Sequence, residues 1–503
     1  MPRYVLSHRL AGSVSLDDRR RSADALREAL VTSIPSVSHI VSRHEPEDEL
    51  GRHLAIVEAE HEDMEPLRRV LHPGVLVEPE VLHRPPPQHA ALTGASDGEP
   101  GAGTVPFRIS VLGDDAPLPA ATAALVLEGA APLQGVSGPD GVVSLPVPAG
   151  VRPSLAMIAP AAGFWSRMVS DPRAPLVVRC RALPSARDSL GWWHQFLGVD
   201  AFDPEAGAGI RVGVLDSGLA PHPALHHVES IGSFLQGRPD LAGGADVGFH
   251  GTYACGILTG RPRRGEEFGG FAPGSRVYAA RIFNQDMAAS QADIALALHA
   301  LAVDCRVDLI NLSFSADTIS TVLHDAILHA LAQGALCICS AGNVSLAAGE
   351  PTRDVTWPAR YPETVAVGAV GRRGWAPADS GSAHREPDPV HEADQFGDDG
   401  IFLGNLSCRG EGLDCVAPGV GIISTVPPSV EGGPAPYDAM DGTSASSPAV
   451  CGALARHLSG CPDYRALPRN ASRAARARSE LERACRSLGL TRAFQGAGAP
   501  RWR

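Results

Sequence analysis

The sequence predicts a multidomain α/β protein: a doubly wound, mostly parallel sheet, preceded by a small α+β unit of ferredoxin-like order and an all-β sandwich. Three observations carry this. From about residue 188, the apolar runs IRVGVLD, VYAARIF, VDLINLSF, GALCICSAG and TVAVGAV recur between helical stretches, the texture of buried parallel strands. Ahead of them, residues 105–183 alternate short β-type runs with Asp, Pro and Gly turns. The first 84 residues read β-α-β-β-α-β.

In order along the chain, residues 4–8 suit a strand, and residues 16–30, polar with periodic Leu and Ala, suit a helix. Strand-like segments follow at 38–42 and 54–58, a short helix at 61–71 and a closing strand at 75–81. Residues 85–104, PPPQHAALTGASDGEPGAG and its neighbour, read as a linker. In residues 105–183 the runs FRISVLG, AALVLEG, GVVSLPVP, SLAMIAP and LVVRCRAL are split by turns, one of them Gly138-Pro139-Asp140-Gly141. The α/β part spans 188–503, with helices expected at 291–303 and 319–333. Within it, residues 376–405 are polar, acidic and His-bearing; they suit a flexible surface loop, or a lid or partner-docking loop near the active site.

Composition narrows the function classes. The formal net charge is −13, and every basic residue is Arg. That balance disfavours nucleic acid or an anionic membrane as the main partner. No stretch reaches the roughly 18 apolar residues of a spanning helix. The opening MPRYVLSHRLAG lacks the apolar core of a signal peptide. Ten Cys lie from Cys180 onward without paired CxxC spacing. A cytoplasmic chain with reduced thiols is expected. Export by a route without a recognisable signal is the alternative; Cys408 and Cys415 would then close a small loop.

Three motifs point to chemistry. Val212–Gly218 (VGVLDSG) is an apolar strand ending in Asp216, where open α/β sheets gather catalytic groups. His250 opens a helix of small residues, HGTYACG. Ser444 sits at a Gly-rich helix start, GTSASSP, among outward-facing backbone N–H groups. Taken singly, a turn Asp, a structural His and a helix cap explain each one. Taken together, in the order Asp, His, Ser, they resemble the subtilase family of serine peptidases.

The resemblance covers about residues 188–500 through the motifs DSG, HGT and GTSxxSP. It implies a serine endopeptidase acting on protein or peptide substrates, with Asp216, His250 and Ser444 catalytic and no metal or organic cofactor. It implies that Asn343, in Ser340-Ala341-Gly342-Asn343, donates to the oxyanion. It also implies substrate contacts from Ser313, Phe314 and Ser315 (with Ala316), from Ala341 and Gly342, and from Thr356. A peptide-binding scaffold that does not cut is the competing reading; the four intact positions argue against it.

This sequence also departs from the family pattern. Ala445 stands where Met usually follows the nucleophile, so greater peroxide tolerance is expected. Ser315 and Ala316 add side-chain atoms where Gly is usual, and Thr356 falls where the family places the floor of the first specificity pocket, so small or medium apolar residues are expected before the scissile bond. His222-Pro223-Ala224-Leu225 lacks the calcium-binding carboxylate of the family's corresponding run, so calcium is not expected there. Asp246, Glu266 and Glu267 are expected to serve solvation or substrate contact. Subtilases are often made with a ferredoxin-like chaperone domain that is cut off. Residues 1–84 resemble one, and residues 105–183 resemble transthyretin-like or carboxypeptidase-regulatory modules. Chaperone, inhibitor and substrate recruiter all remain open as roles for the front half.

Overall fold

The computed structural model describes residues 1–11, 15–32, 34, 38–46, 51–85, 101, 103–344, 353–428 and 436–502. Most of the linker read at 85–104 lies outside them. The first unit comprises β1 (Arg3–His8), α1 (Leu16–Thr32), β2 (Ser38–His44), β3 (Leu54–Ala59), α2 (His61–Val70) and β4 (Val75–Pro79). Its antiparallel sheet runs β2-β3-β1-β4. Period-two alternation divides the labour of that sheet. Tyr4, Leu6, Ala55 and Val57 pack on the unit's own helices, with Leu26, Leu30 and Met64. Val5, Leu54, Ile56 and Leu76 join the main core of the α/β part. The sheet is therefore buried on both faces, and its second face is a docking surface.

Polar contacts lock this docking. Glu78 caps the N-terminus of a helix of the α/β part (Thr321–Ala332), accepting from Thr321 N at 2.7 Å, Thr321 Oγ1 at 2.6 Å and Val322 N at 3.2 Å. Asp325 on the same helix accepts from Leu10 N at 3.1 Å, Ala11 N at 2.9 Å and Arg52 Nη2 at 2.8 Å. Arg52 and Asp325 are both buried.

Histidines surround this ion pair. Burial, with Arg52 nearby, pushes His8 and His329 down to about 3. Burial, with Arg27 nearby, pushes His53 down to about 4. A free imidazole takes a proton near 6.5. On account of these groups the folded chain is at full stability above about pH 6.5 and loses stability as the pH falls toward 4. Intrinsic-rate-corrected amide exchange in Leu54–Ala59 is expected to be faster at pH 5 than at pH 7; equal rates would contradict this.

After β5 (Leu82–His83), the sandwich contains β6 (Thr104–Gly113), β7 (Ala116–Pro117), β8 (Thr122–Leu127), β9 (Leu133–Val136), β10 (Val142–Pro148), β11 (Pro153–Ala159), β12 (Arg167–Ser170) and β13 (Leu176–Cys180). One sheet runs β10-β6-β13 with β7 on β6; the other runs β12-β11-β8-β9. Alternate residues Phe107, Ile109 and Val111, beside Val143 and Leu145 of the same sheet, share one core with Leu125 and Leu127 of the other. Gly141 closes the turn into β10 at φ 73°, and a Cβ there would lie 2.6 Å from Val111 O. β9 and β12 have few apolar residues and partly exposed faces, so the sequence pattern does not reveal them.

The α/β part begins with α3 (Trp192–Phe196) and continues with β14 (Arg211–Asp216), β15 (Glu229–Leu235), β16 (Arg238–Asp240), α4 (His250–Thr259), β17 (Arg276–Arg281), β18 (Ala289–Ser290) and α5 (Gln291–His299). Then come β19 (Leu309–Leu312), α6 (Thr321–Ala332), β20 (Leu336–Ser340), β21 (Val365–Arg372), β22 (Ile401–Leu403), β23 (Cys415–Pro418), β24 (Ile422–Thr425), β25 (Tyr437–Met440) and α7 (Thr443–Ser459). The main sheet runs β16-β15-β17-β14-β19-β20-β21-β22, with β23 also on β21. The pairs from β15 through β21 are parallel, while β16 and β22 pair antiparallel at the edges. This is the doubly wound architecture that the apolar runs imply.

Residues 376–405 differ from the expected loop. Met168 N bonds Asp379 O at 3.1 Å, and Arg167 pairs with Asp379 at 2.8 Å. Arg385 reaches Asp441 at 3.4 Å, and β22 within the segment is buried. The segment is pinned between the sandwich and the α/β part. Among the described residues, no helix is long and apolar enough to cross a membrane.

Candidate active site

β14 is the sheet's topological switch: the chain winds to β15 and β17 on one side and to β19, β20 and β21 on the other. Crevices at such points, at the strands' carboxyl ends, are where ligand groups gather in open α/β sheets. Asp216 ends β14, Ser313 follows β19, and Asn343 lies three residues past β20.

His250 Nδ1 lies 2.7 Å from Asp216 Oδ1, and both side chains are buried. Asp216 Oδ1 also accepts from Ser217 N at 2.7 Å. His250 Nε2 takes no hydrogen-bond partner among the described residues, so it is the ring nitrogen left for proton transfer. Asp246 departs from its expected role. It accepts from Ser217 Oγ at 2.7 Å, Gly248 N at 3.0 Å and Thr252 N at 3.0 Å, while Gly251 N donates to Ser217 Oγ at 2.8 Å. Asp246 thus caps α4 and ties it to the Asp216 turn. The N-cap residue, Phe249, has an apolar side chain and a left-handed backbone (φ 57°), so it supplies no cap itself. An Asp four residues ahead of a helix-opening His was the available signal. Glu267 likewise holds its own loop, accepting from Arg263 N at 2.8 Å.

Ser444 lies in the first turn of α7, whose residues 443–455 are all buried. Pro448 carries no N–H, so the Ser444 carbonyl loses its usual helical donor. Ser313 Oγ supplies one instead at 3.2 Å, and it also pairs with Ser447 Oγ at 2.9 Å. The Ser313 side chain therefore supports α7. Asn343 Oδ1 accepts from Thr443 N at 3.0 Å and Thr443 Oγ1 at 2.9 Å, which fixes the amide with Nδ2 outward. A Cβ on Gly442 would lie 2.9 Å from Asn343 Nδ2 and 3.1 Å from Ser444 Oγ, so both groups converge there.

Ser315 pairs with a strand of the chain itself. Arg84 N donates to Ser315 O, and Ser315 N donates to Arg84 O, each at 2.9 Å. On the other side, β5 pairs antiparallel with β18, His83 opposite Ala289. Leu82–Arg84 is thus an added strand filling a groove between β18 and Ser315, the geometry of bound extended peptide. His83 is fully buried, edge-on to Phe314 at 5.8 Å. Phe314 serves this side pocket. Ala316 pairs instead with Trp357. Ala341 is buried in the sheet, its N–H on Val367 O at 2.9 Å and its carbonyl accepting from Thr356 N at 2.9 Å. A Cβ on Gly342 would meet Thr356 Oγ1 at 2.4 Å and Cys408 Sγ at 3.2 Å. Cys408 and Cys415 are free and buried, Cys415 beside Cys485.

A doubly wound sheet carrying a buried Asp–His pair and a helix-start Ser at its carboxyl edge is an arrangement open to serine hydrolases, and the chain's relatives make the class a serine-type endopeptidase. A model of the subtilase family matches residues 207–494. The chain belongs to the subtilase family. It is 29% identical over 251 residues to subtilisin BL of Lederbergia lenta, a match covering 50% of this chain and 76% of that protein. It is 31% identical over 261 residues to a subtilisin of Bacillus pumilus, covering 51% of this chain and 80% of that one. The solved structure of fervidolysin from Fervidobacterium pennivorans, a keratinolytic enzyme related to subtilisin, aligns with TM-score 0.60 and 17% identity. That alignment takes in 100% of this chain but only 60% of fervidolysin, and it speaks to fold alone.

Proposed function

We propose that this chain hydrolyses peptide bonds of protein substrates with Asp216, His250 and Ser444 as catalytic triad and Asn343 in the oxyanion hole. The observation carrying this is the 2.7 Å Asp216–His250 bond at the switch point, with Asn343 Nδ2 and Ser444 Oγ both converging on Gly442. His250 Nε2 takes the Ser444 proton as Oγ attacks the carbonyl carbon, then returns it to the leaving nitrogen. Asp216 orients the ring and stabilises its charged form. Asn343 Nδ2 and the Ser444 N–H donate to the oxyanion. The test is cleavage of a denatured protein together with labelling by an alkyl fluorophosphonate. Labelling that persists in Ser444→Ala would overturn the reading.

The pocket for the residue before the scissile bond takes small or medium apolar side chains, because Thr356 presses on the Gly342 backbone. Thr356→Gly is expected to shift a peptide-library profile toward larger residues, by about tenfold in relative kcat/KM, since one or two buried methylene groups decide about 1–3 kcal/mol. A wild-type profile led by Phe or Arg would defeat this. We further propose that no calcium binds at the His222–Leu225 turn. Ala224 is buried with its N–H on His222 Nδ1, and it offers no carboxylate. Chelator is then expected to leave the thermal midpoint of the chain unchanged; a drop reversed by added calcium would refute this.

A further inference from the structure

The strand in the groove ends at an informative place. Arg84 makes both ladder bonds to Ser315, and the residues after it are Pro85, Pro86 and Pro87. None of the three has the N–H with which a bound strand donates to its neighbours. The chemistry points the same way. Of the four peptide bonds from Arg84 to Gln88, each has proline on at least one side, and in three proline provides the leaving nitrogen. Cleavage forms the Ser444 Oγ–carbon bond, breaks the carbon–nitrogen bond and delivers the Ser444 proton, through His250, to that nitrogen. A proline nitrogen carries ring Cδ where another residue carries hydrogen. That carbon crowds the approach of the proton donor and restricts the residue before it.

We propose that the segment leading through Leu82–Pro85 is a self-resistant plug. It is substrate-like as far as Arg84, so it closes the groove, and it resists Ser444 between Arg84 and Gln88. The N-terminal unit is then not released by the chain's own cut at this junction. The groove opens by undocking of that unit, which Glu78 and the Arg52–Asp325 pair hold in place. This rests on the endopeptidase reading above and adds the regulation of that site.

The experiment compares the full chain with a variant carrying Pro85→Ala, Pro86→Ala and Pro87→Ala, each with and without Ser444→Ala. Intact mass and N-terminal sequencing follow the bonds from 84 to 88, while fluorophosphonate labelling follows Ser444. The unsubstituted chain is expected to keep these bonds. The triple variant is expected to gain a new N-terminus within 85–88 at least about tenfold faster, and only when Ser444 is present. A Ser444-dependent cut of the unsubstituted chain within this window overturns the proposal. So does a triple variant that stays intact while its Ser444 takes the label. Loss of labelling in every form, an Arg52→Ala form included, would instead overturn the endopeptidase reading.

Discussion

Replacing Ser444 with alanine is expected to lower kcat on a protein or peptide substrate by about 10⁴–10⁶-fold, with the fold unchanged. The size follows from the mechanism: without Oγ no acyl intermediate forms, and His250 has no proton to take. What survives comes from binding and oxyanion stabilisation alone. Replacing Asn343 with alanine is expected to be milder, about 10²–10³-fold in kcat, because one of two oxyanion donors is lost. Its effect belongs in kcat rather than KM, since the charge it meets develops only in the transition state. Steady-state kinetics on one peptide substrate checks both. An Asn343→Ala enzyme with a raised KM and unchanged kcat would remove Asn343 from the oxyanion hole.

Replacing Arg52 with alanine is expected to unmask the groove. Arg52 Nη2 lies 2.8 Å from Asp325 Oδ2, and both side chains are almost fully enclosed, at 1% and 5% exposure. Removing one partner of a buried pair costs about 3–5 kcal/mol, and the remaining charge, on Asp325, keeps only the Leu10 and Ala11 N–H groups as partners. Here that charge sits on α6, and it regains water only if the N-terminal unit lifts off. The docking equilibrium is therefore expected to shift by about 10²–10⁴-fold toward the open form. Fluorophosphonate labelling of Ser444 should accelerate by up to that factor in Arg52→Ala, and hydrolysis of a short peptide should rise with it. Unchanged labelling in a folded Arg52→Ala chain would show that this ion pair does not control access.

Much of this was legible along the chain. Asp216 ends an apolar strand, His250 opens a helix of small residues, and Ser444 stands at a Gly-rich helix start; each is a local signal that survives without knowledge of the fold. The parallel strands were readable because strands buried on both faces are continuously apolar, as in LINL of β19 and LCICS of β20. The short edge strands β9 and β12 were not readable, since neither has a buried face long enough to impose alternation.

Local residue order thus determined the chemistry and the sheet. Folding alone settled what stands around them. Asp246 reads as a loop acid, yet it fastens α4 to the Asp216 turn through Ser217. Ser313 reads only as part of a strand that pairs with substrate, and its hydroxyl also replaces the donor that Pro448 denies to Ser444. Leu82–Arg84 reads as the end of one unit, yet it is the strand that fills the groove of another. Each of these depends on which backbone groups lack a partner after the chain has packed. Hydrogen bonds between residues 29 to 231 positions apart leave no periodicity in the sequence to read.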